Sequence, residues 1–181
     1  NDVNDVHNAL RVFDRLSFAD GERIGMWGHS RGGMMTYVAL TRTDRVRAAV
    51  IGAGVADLER MIALRPEMDT EVAAQLVRDW ATARAQAIDV RSAVRFVDRL
   101  PSNVPILLVH GIANIRVDPR DSLDMARLMF AARKPFSLLL IEGADHPLSE
   151  RRDEYDRAAR AWLDRYVRDR GSLPNLVPHG T

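Results

Sequence analysis

The sequence predicts an α/β fold built on about four parallel strands, with helices on both faces of the sheet. Three observations carry this. Short apolar runs alternate with longer stretches of helical periodicity along the chain. One run, Ile106-Leu107-Leu108-Val109, is apolar on both faces, as an interior parallel strand requires. Strands separated by helices must be joined by right-handed crossovers, which lays them parallel.

The elements follow in order. Val3, Val6, Leu10, Phe13 and Leu16 recur at helical spacing and predict an amphipathic first helix. Asp20-Gly21 turns the chain into a strand, Arg23 to Trp27, and a helix from Gly32 to Thr41 comes next. A second strand, Val46 to Ile51, ends in the small residues Gly52-Ala53-Gly54. Residues 57–100 read as an Arg- and Ala-rich helical insertion, broken early by Pro66, that would form a lid. Pro101 and Pro105 bracket the approach to the third strand. A helix from Pro119 to Arg133 is expected to bury Leu123, Met125, Leu128 and Met129 in part. Pro135 stops it before the fourth strand, Phe136 to Ile141. The last helix, near Glu150 to Asp169, aligns Tyr155, Ala159, Trp162 and Tyr166. Residues 1–170 thus form one domain, and 171–181 a loose tail.

Composition narrows the function classes. The chain has 181 residues, 46% of them apolar and 28% charged, the balance of a globular protein with a real core. Its 26 basic and 25 acidic residues leave a net charge of +1, so bulk electrostatics favour neither nucleic acid nor an anionic membrane as partner. Only Lys134 among the basic residues is lysine. The absence of cysteine rules out disulfides and thiol chemistry. No apolar run approaches membrane-spanning length, and no signal peptide is visible, which favours the cytoplasm. The chain begins at Asn1 rather than Met, so a signal upstream stays open.

Gly28-His29-Ser30-Arg31-Gly32 follows an apolar strand and opens a helix, the setting in which G-x-S-x-G makes a nucleophile elbow. A serine hydroxyl is a weak nucleophile unless a tight turn exposes it beside a base and oxyanion donors. Small residues two before and two after Ser30 would permit that turn. Chemistry in a parallel sheet gathers beyond the carboxyl ends of its strands. The four loops there supply Ser30, Asp57, Asn114 and His146. His146, in Gly143-Ala144-Asp145-His146, is the candidate base, since its loop opens on the same sheet edge as Ser30. His7 and His179 read as exposed, His29 as shaping the elbow, and His110 as buried with a backbone hydrogen bond.

The acid breaks the pattern. The loop after the third strand, where a carboxylate should orient the imidazole, carries Asn114. An amide can accept a hydrogen bond from the ring N–H, but it cannot offset an imidazolium charge, and it can favour the wrong tautomer. Asp118 and Asp121 should already be entering the helix. Asp57 is an alternative acid, although its position before Leu58-Glu59-Arg60 also suits a helix N-cap.

With these residues in place the chain resembles the C-terminal half of an α/β-hydrolase, closest to the prolyl oligopeptidase-like serine peptidases. The residues that carry the resemblance are 23–33, Pro105-Ile106-Leu107-Leu108-Val109-His110-Gly111, and Glu142-Gly143-Ala144-Asp145-His146. It implies hydrolysis of peptide or acyl-ester bonds through an acyl-enzyme on Ser30. His146 would be the base, Asn114 would stand at the acid position, and the backbone N–H of Arg31 would serve as oxyanion donor. No metal or cofactor is implied. The family's sheet has about eight strands, so the strand before the elbow would be left as an apolar edge here, and the N-terminal half of the fold would be needed as a partner. The other-class expectation is a non-catalytic binding protein on the same fold, motivated by Asn114.

Overall fold

The computed structural model describes residues 2–180. Strands β1 (Ile24–His29), β2 (Val46–Gly52), β3 (Ile106–Gly111) and β4 (Phe136–Ile141) form one parallel sheet in sequential order. Helices α1 (Asp2–Phe13), α2 (Arg31–Leu40), α3 (Leu58–Leu64), α4 (Ala74–Leu76), α5 (Trp80–Asp89), α6 (Arg120–Ala131) and α7 (Arg152–Leu163) surround it.

A sheet that grows strand by strand in one direction sends every right-handed crossover over the same face. The core obeys this rule. Tyr37 and Leu40 of α2, Ala93 and Leu100 of the second connection, and Met125 and Met129 of α6 pack with Ala49, Ile51, Ile106 and Leu108. Val3 and Leu10 of α1 join the same layer. The alternate strand residues Val50, Leu107 and Val109 point the other way, where Tyr155 and Ala159 of α7 cover them. Both faces are therefore clad, and β2 and β3 are buried almost throughout, with Arg47 the one exposed residue.

β1 pairs only with β2 among the described residues, as the apolar-edge expectation has it. Its Trp27 is 41% exposed and donates its indole N–H to the Tyr155 hydroxyl, an edge-on ring contact that ties the edge strand to α7.

Several sequence expectations need correction. α1 ends at Phe13, which is exposed, and Leu16 lies past the helix. His7 is half-buried rather than exposed. In α6 the residue Leu123 faces solvent, while Asp121 and Ser122 are buried. The physical reason is polar. Asp121 Oδ2 accepts the backbone N–H groups of Ala56 (2.7 Å) and Asp57 (3.1 Å), and Oδ1 accepts Arg60 Nη1 (3.0 Å). Those bonds fix the rotation of the first turn of α6 and turn Leu123 outward.

The 57–100 segment is not one unit. Residues in α3, in the π-helical turn Met68–Ala73 and in α5 build a separate apolar cluster around Met61, Trp80 and Ile88. Ala93, Phe96, Val97 and Leu100 instead belong to the main core. The single lysine anchors this return. Lys134 is buried, and its Nζ donates to the carbonyls of Asp98 and Leu100 and to Ser102 Oγ.

Asp121 ties the loop after β2 to the sheet, and burial pushes its carboxyl up to about 6 in spite of the donors around it. Asp121→Ala strands two buried amides and one guanidinium contact. It should lower stability by about 3 kcal/mol in urea unfolding.

Candidate active site

Ser30 sits between the last residue of β1 and the first of α2 with φ 56° and ψ −120°, a conformation that L-residues rarely adopt. The surrounding backbone enforces it. Ser30 N–H donates to the Gly52 carbonyl (2.8 Å), and the Ser30 carbonyl accepts from Gly33 N–H (3.0 Å) and Met34 N–H (3.2 Å). A Cβ on Gly28 would stand 2.3 Å from the Gly32 carbonyl oxygen, so that position admits glycine alone. Gly32 is different from expectation. A Cβ there meets nothing within 4 Å, and the close packing falls to Gly33, whose Cβ would lie 2.7 Å from Gly54 Cα.

His146 reaches this turn from the loop after β4. Its Nε2 is 3.0 Å from Ser30 Oγ, and its Nδ1 is 3.1 Å from Asn114 Nδ2. The His29 ring packs on it, with centroids 5.1 Å apart. Burial above all, together with His29, Arg116, His110 and Arg65, lowers the His146 imidazole to about 4. No carboxylate of a described residue hydrogen-bonds to the ring.

The orientation of Asn114 is set by its own loop. Asn114 Oδ1 accepts the backbone N–H groups of Arg116 (2.9 Å) and Val117 (3.0 Å). A flipped amide would face those donors with its own N–H groups. The amide nitrogen must therefore face the two imidazoles, at 3.1 Å from His146 Nδ1 and 3.1 Å from His110 Nε2. An N–H can only donate, so His146 Nδ1 accepts, and the ring's proton resides on Nε2, directed at Ser30 Oγ. Sequence reading left open whether the amide accepts from the ring or selects its tautomer; the geometry is the second.

The remaining candidates are placed as follows. Arg31 contributes the first N–H of α2 beside Ser30. Asp57 caps α3, accepting Arg60 N–H at 3.1 Å, while His146 Nδ1 is taken by Asn114. Asp118 pairs with Arg120. His110 is fully buried, with Ser122 Oγ 2.7 Å from Nδ1 and the Val117 carbonyl 3.1 Å from Nε2. The His110–Asn114 contact has no signature in residue spacing, because the loop's fold-back at Arg116 and Val117 creates it. A cavity of about 1120 Å³ opens over Ser30 and His146, walled by residues of α2 and of the 57–91 segment.

These features can be set beside known proteins. A model of the prolyl oligopeptidase family matches residues 1–170. The chain belongs to that family. It is 27% identical over 154 residues to the mouse protein named prolyl endopeptidase FAP, and 26% identical over 176 residues to a probable dipeptidyl-aminopeptidase B of Grosmannia clavigera. These alignments cover 84% and 95% of this chain but 19% and 17% of the relatives. Among solved structures, a puromycin-hydrolyzing peptidase of Mycobacterium tuberculosis superposes with a TM-score of 0.77 at 26% identity, over 92% of this chain and 25% of that one. An acylaminoacyl peptidase of Pyrococcus horikoshii shares the fold at TM-score 0.74 and 22% identity, covering 92% and 28%. The family's members are serine peptidases on the α/β-hydrolase fold, and the parallel four-strand sheet is that fold's.

The two glycines make a direct test of the elbow. Gly28→Ala should lose about 3 kcal/mol of stability in urea unfolding through the clash with the Gly32 carbonyl. Gly32→Ala, which meets open space in a helical position, should stay within about 1 kcal/mol of the parent or exceed it.

Proposed function

We propose that the protein is a serine hydrolase of peptide bonds, with Ser30 as nucleophile and its turnover held down by Asn114. The observation that carries the reading is the 3.0 Å contact of His146 Nε2 with a serine hydroxyl on a strained elbow. Ser30 Oγ attacks the carbonyl carbon, and His146 Nε2 takes the hydroxyl proton in the minor tautomer whose own proton is on Nδ1. The Arg31 N–H stabilises the oxyanion, and His146 returns the proton to the leaving amine. Water then attacks the acyl-enzyme by the same route. Esters would be cleaved by the same groups. The 57–91 segment acts as a lid that selects the acyl chain. A second oxyanion donor comes from the N-terminal half of the family's fold, the partner this reading requires.

Asn114 works against the first step. A ring whose proton sits on Nε2 has its lone pair on Nδ1. It can take the serine proton at Nε2 only after shifting to the Nδ1–H tautomer that the Asn114 donor opposes, and no carboxylate offsets the cation then formed. In a serine protease triad, Asp-to-Asn at the orienting position lowers turnover about 10⁴-fold for this reason. The same amide supports a second reading, a binding protein that retains the pocket without turnover.

A serine-directed fluorophosphonate separates the two. Covalent labelling of Ser30, lost in Ser30→Ala, is the result expected of a hydrolase; a Ser30 unlabelled even when the chain is extended upstream leaves the binding reading. Asn114→Asp should raise kcat/KM by about 10³ to 10⁴ on nitrophenyl esters. The pH profile should move with it. The base works only when neutral, so the parent's acid limb should fall near the His146 value of about 4. A carboxylate at position 114 favours the imidazolium and should shift that limb to higher pH.

A further inference from the structure

The chain as a whole is nearly neutral, with 26 basic and 25 acidic residues. The cavity over Ser30 is not. Six arginines line it, Arg31, Arg42, Arg65, Arg78, Arg91 and Arg116, against a single acid, Asp79. A random sample of this chain's charges would come close to cancelling, so the excess is local to the pocket. Four of the seven methionines, Met34, Met35, Met61 and Met68, supply an apolar floor. Thioether side chains adapt to apolar chains of varied shape.

Two of the arginines stand beside the reacting groups. Arg116 is two residues beyond Asn114, is exposed, and its guanidinium makes no hydrogen bond or ion pair with any described residue. Arg65 is held by Glu67 (2.8 Å) and donates to the Arg116 carbonyl (3.5 Å), which joins the 57–91 segment to the Asn114 loop. Both cations act on His146 strongly enough to lower its basicity. With an amide rather than a carboxylate at position 114, the Arg116 charge beside the ring meets no counter-charge among the described residues, while Arg65 is balanced by Glu67. An anion entering the cavity lowers the energy of the site.

We propose that Arg116, supported by Arg65, forms an anion subsite beside Ser30, and that the substrate's acyl group carries an apolar chain and a carboxylate. The proposal rests on the hydrolase reading and names its substrate class. The carboxylate can belong to an acidic side chain of a peptide or to the far end of a dicarboxylic acyl chain, since the chemistry read by a guanidinium is the same. Arg116 acts here as a specificity-determining residue.

The test uses two matched pairs of p-nitrophenyl esters. One pair is the suberic acid monoester against its methyl-capped form. The other is acetyl-Leu-Glu against acetyl-Leu-Gln. The proposal predicts that kcat/KM favours the anionic member by about tenfold in at least one pair, and that high salt erodes the preference. The pair that shows it identifies the source of the carboxylate. Arg116→Glu should reverse the preference, while Arg116→Gln should only abolish it. Equal rates in both pairs, or an anion preference that survives Arg116→Glu, overturns the proposal. If no ester is hydrolysed even with the N-terminal half of the fold present, the hydrolase reading fails by itself and the subsite is judged by calorimetry on Ser30→Ala. Monomethyl suberate binding about tenfold tighter than dimethyl suberate, lost with Arg116→Glu added, sustains the subsite. Equal binding of the two overturns it.

Discussion

Two backbone N–H groups, those of Arg116 and Val117, hold the side-chain oxygen of Asn114, and the protonation of the candidate site follows from that grip. With the oxygen engaged, only the amide's N–H groups remain to face His110 and His146. A donor opposite His146 Nδ1 leaves the ring proton on Nε2, pointing at Ser30. The same loop would present a carboxylate to the ring if residue 114 were Asp, because the two backbone donors would engage one oxygen and leave the other free to accept. One atom's identity, nitrogen in place of oxygen, thus reverses the direction of a hydrogen bond without moving the loop.

The fold explains how three distant stretches of chain meet at that bond. Sequential parallel strands place every following loop on one sheet edge. The tight turn after β1 projects Ser30, the fold-back after β3 projects Asn114, and the loop after β4 projects His146. Cores on both faces fix the strands to one another, so the 3.0 and 3.1 Å contacts are set by packing rather than by the loops alone. Asp121 extends the same order to the fourth loop by gripping the amides of Ala56 and Asp57. That grip begins the helical segment that walls the cavity.

Much of this was legible in the sequence, and the exceptions have physical causes. Strand positions, the elbow's setting and the loops that carry Ser30, Asn114 and His146 follow from periodicity and from the carboxyl-edge rule. The elbow's glycines were read less well, since sequence spacing cannot show that Gly33, not Gly32, meets Gly54. Leu123 was expected inside because periodicity counts apolar residues. The helix is instead turned by the polar bonds of Asp121, which periodicity does not register. The amide's orientation at Asn114 and the collection of arginines around one cavity depend on contacts between residues far apart in sequence. Net charge, at +1, conceals the second entirely.

The electrostatic character of the site follows from these pieces together. Burial, neighbouring histidines and nearby guanidiniums all oppose a second proton on His146, and nothing anionic among the described contacts favours one. The central claim is that Asn114 donates to His146 and so places the ring's proton on Nε2. Neutron diffraction from a deuterated crystal at neutral pH reads this directly. The account predicts a deuteron on His146 Nε2, none on Nδ1, and an Asn114 amide deuteron directed at His146 Nδ1. A deuteron on Nδ1, with the Asn114 oxygen accepting it, would contradict the account.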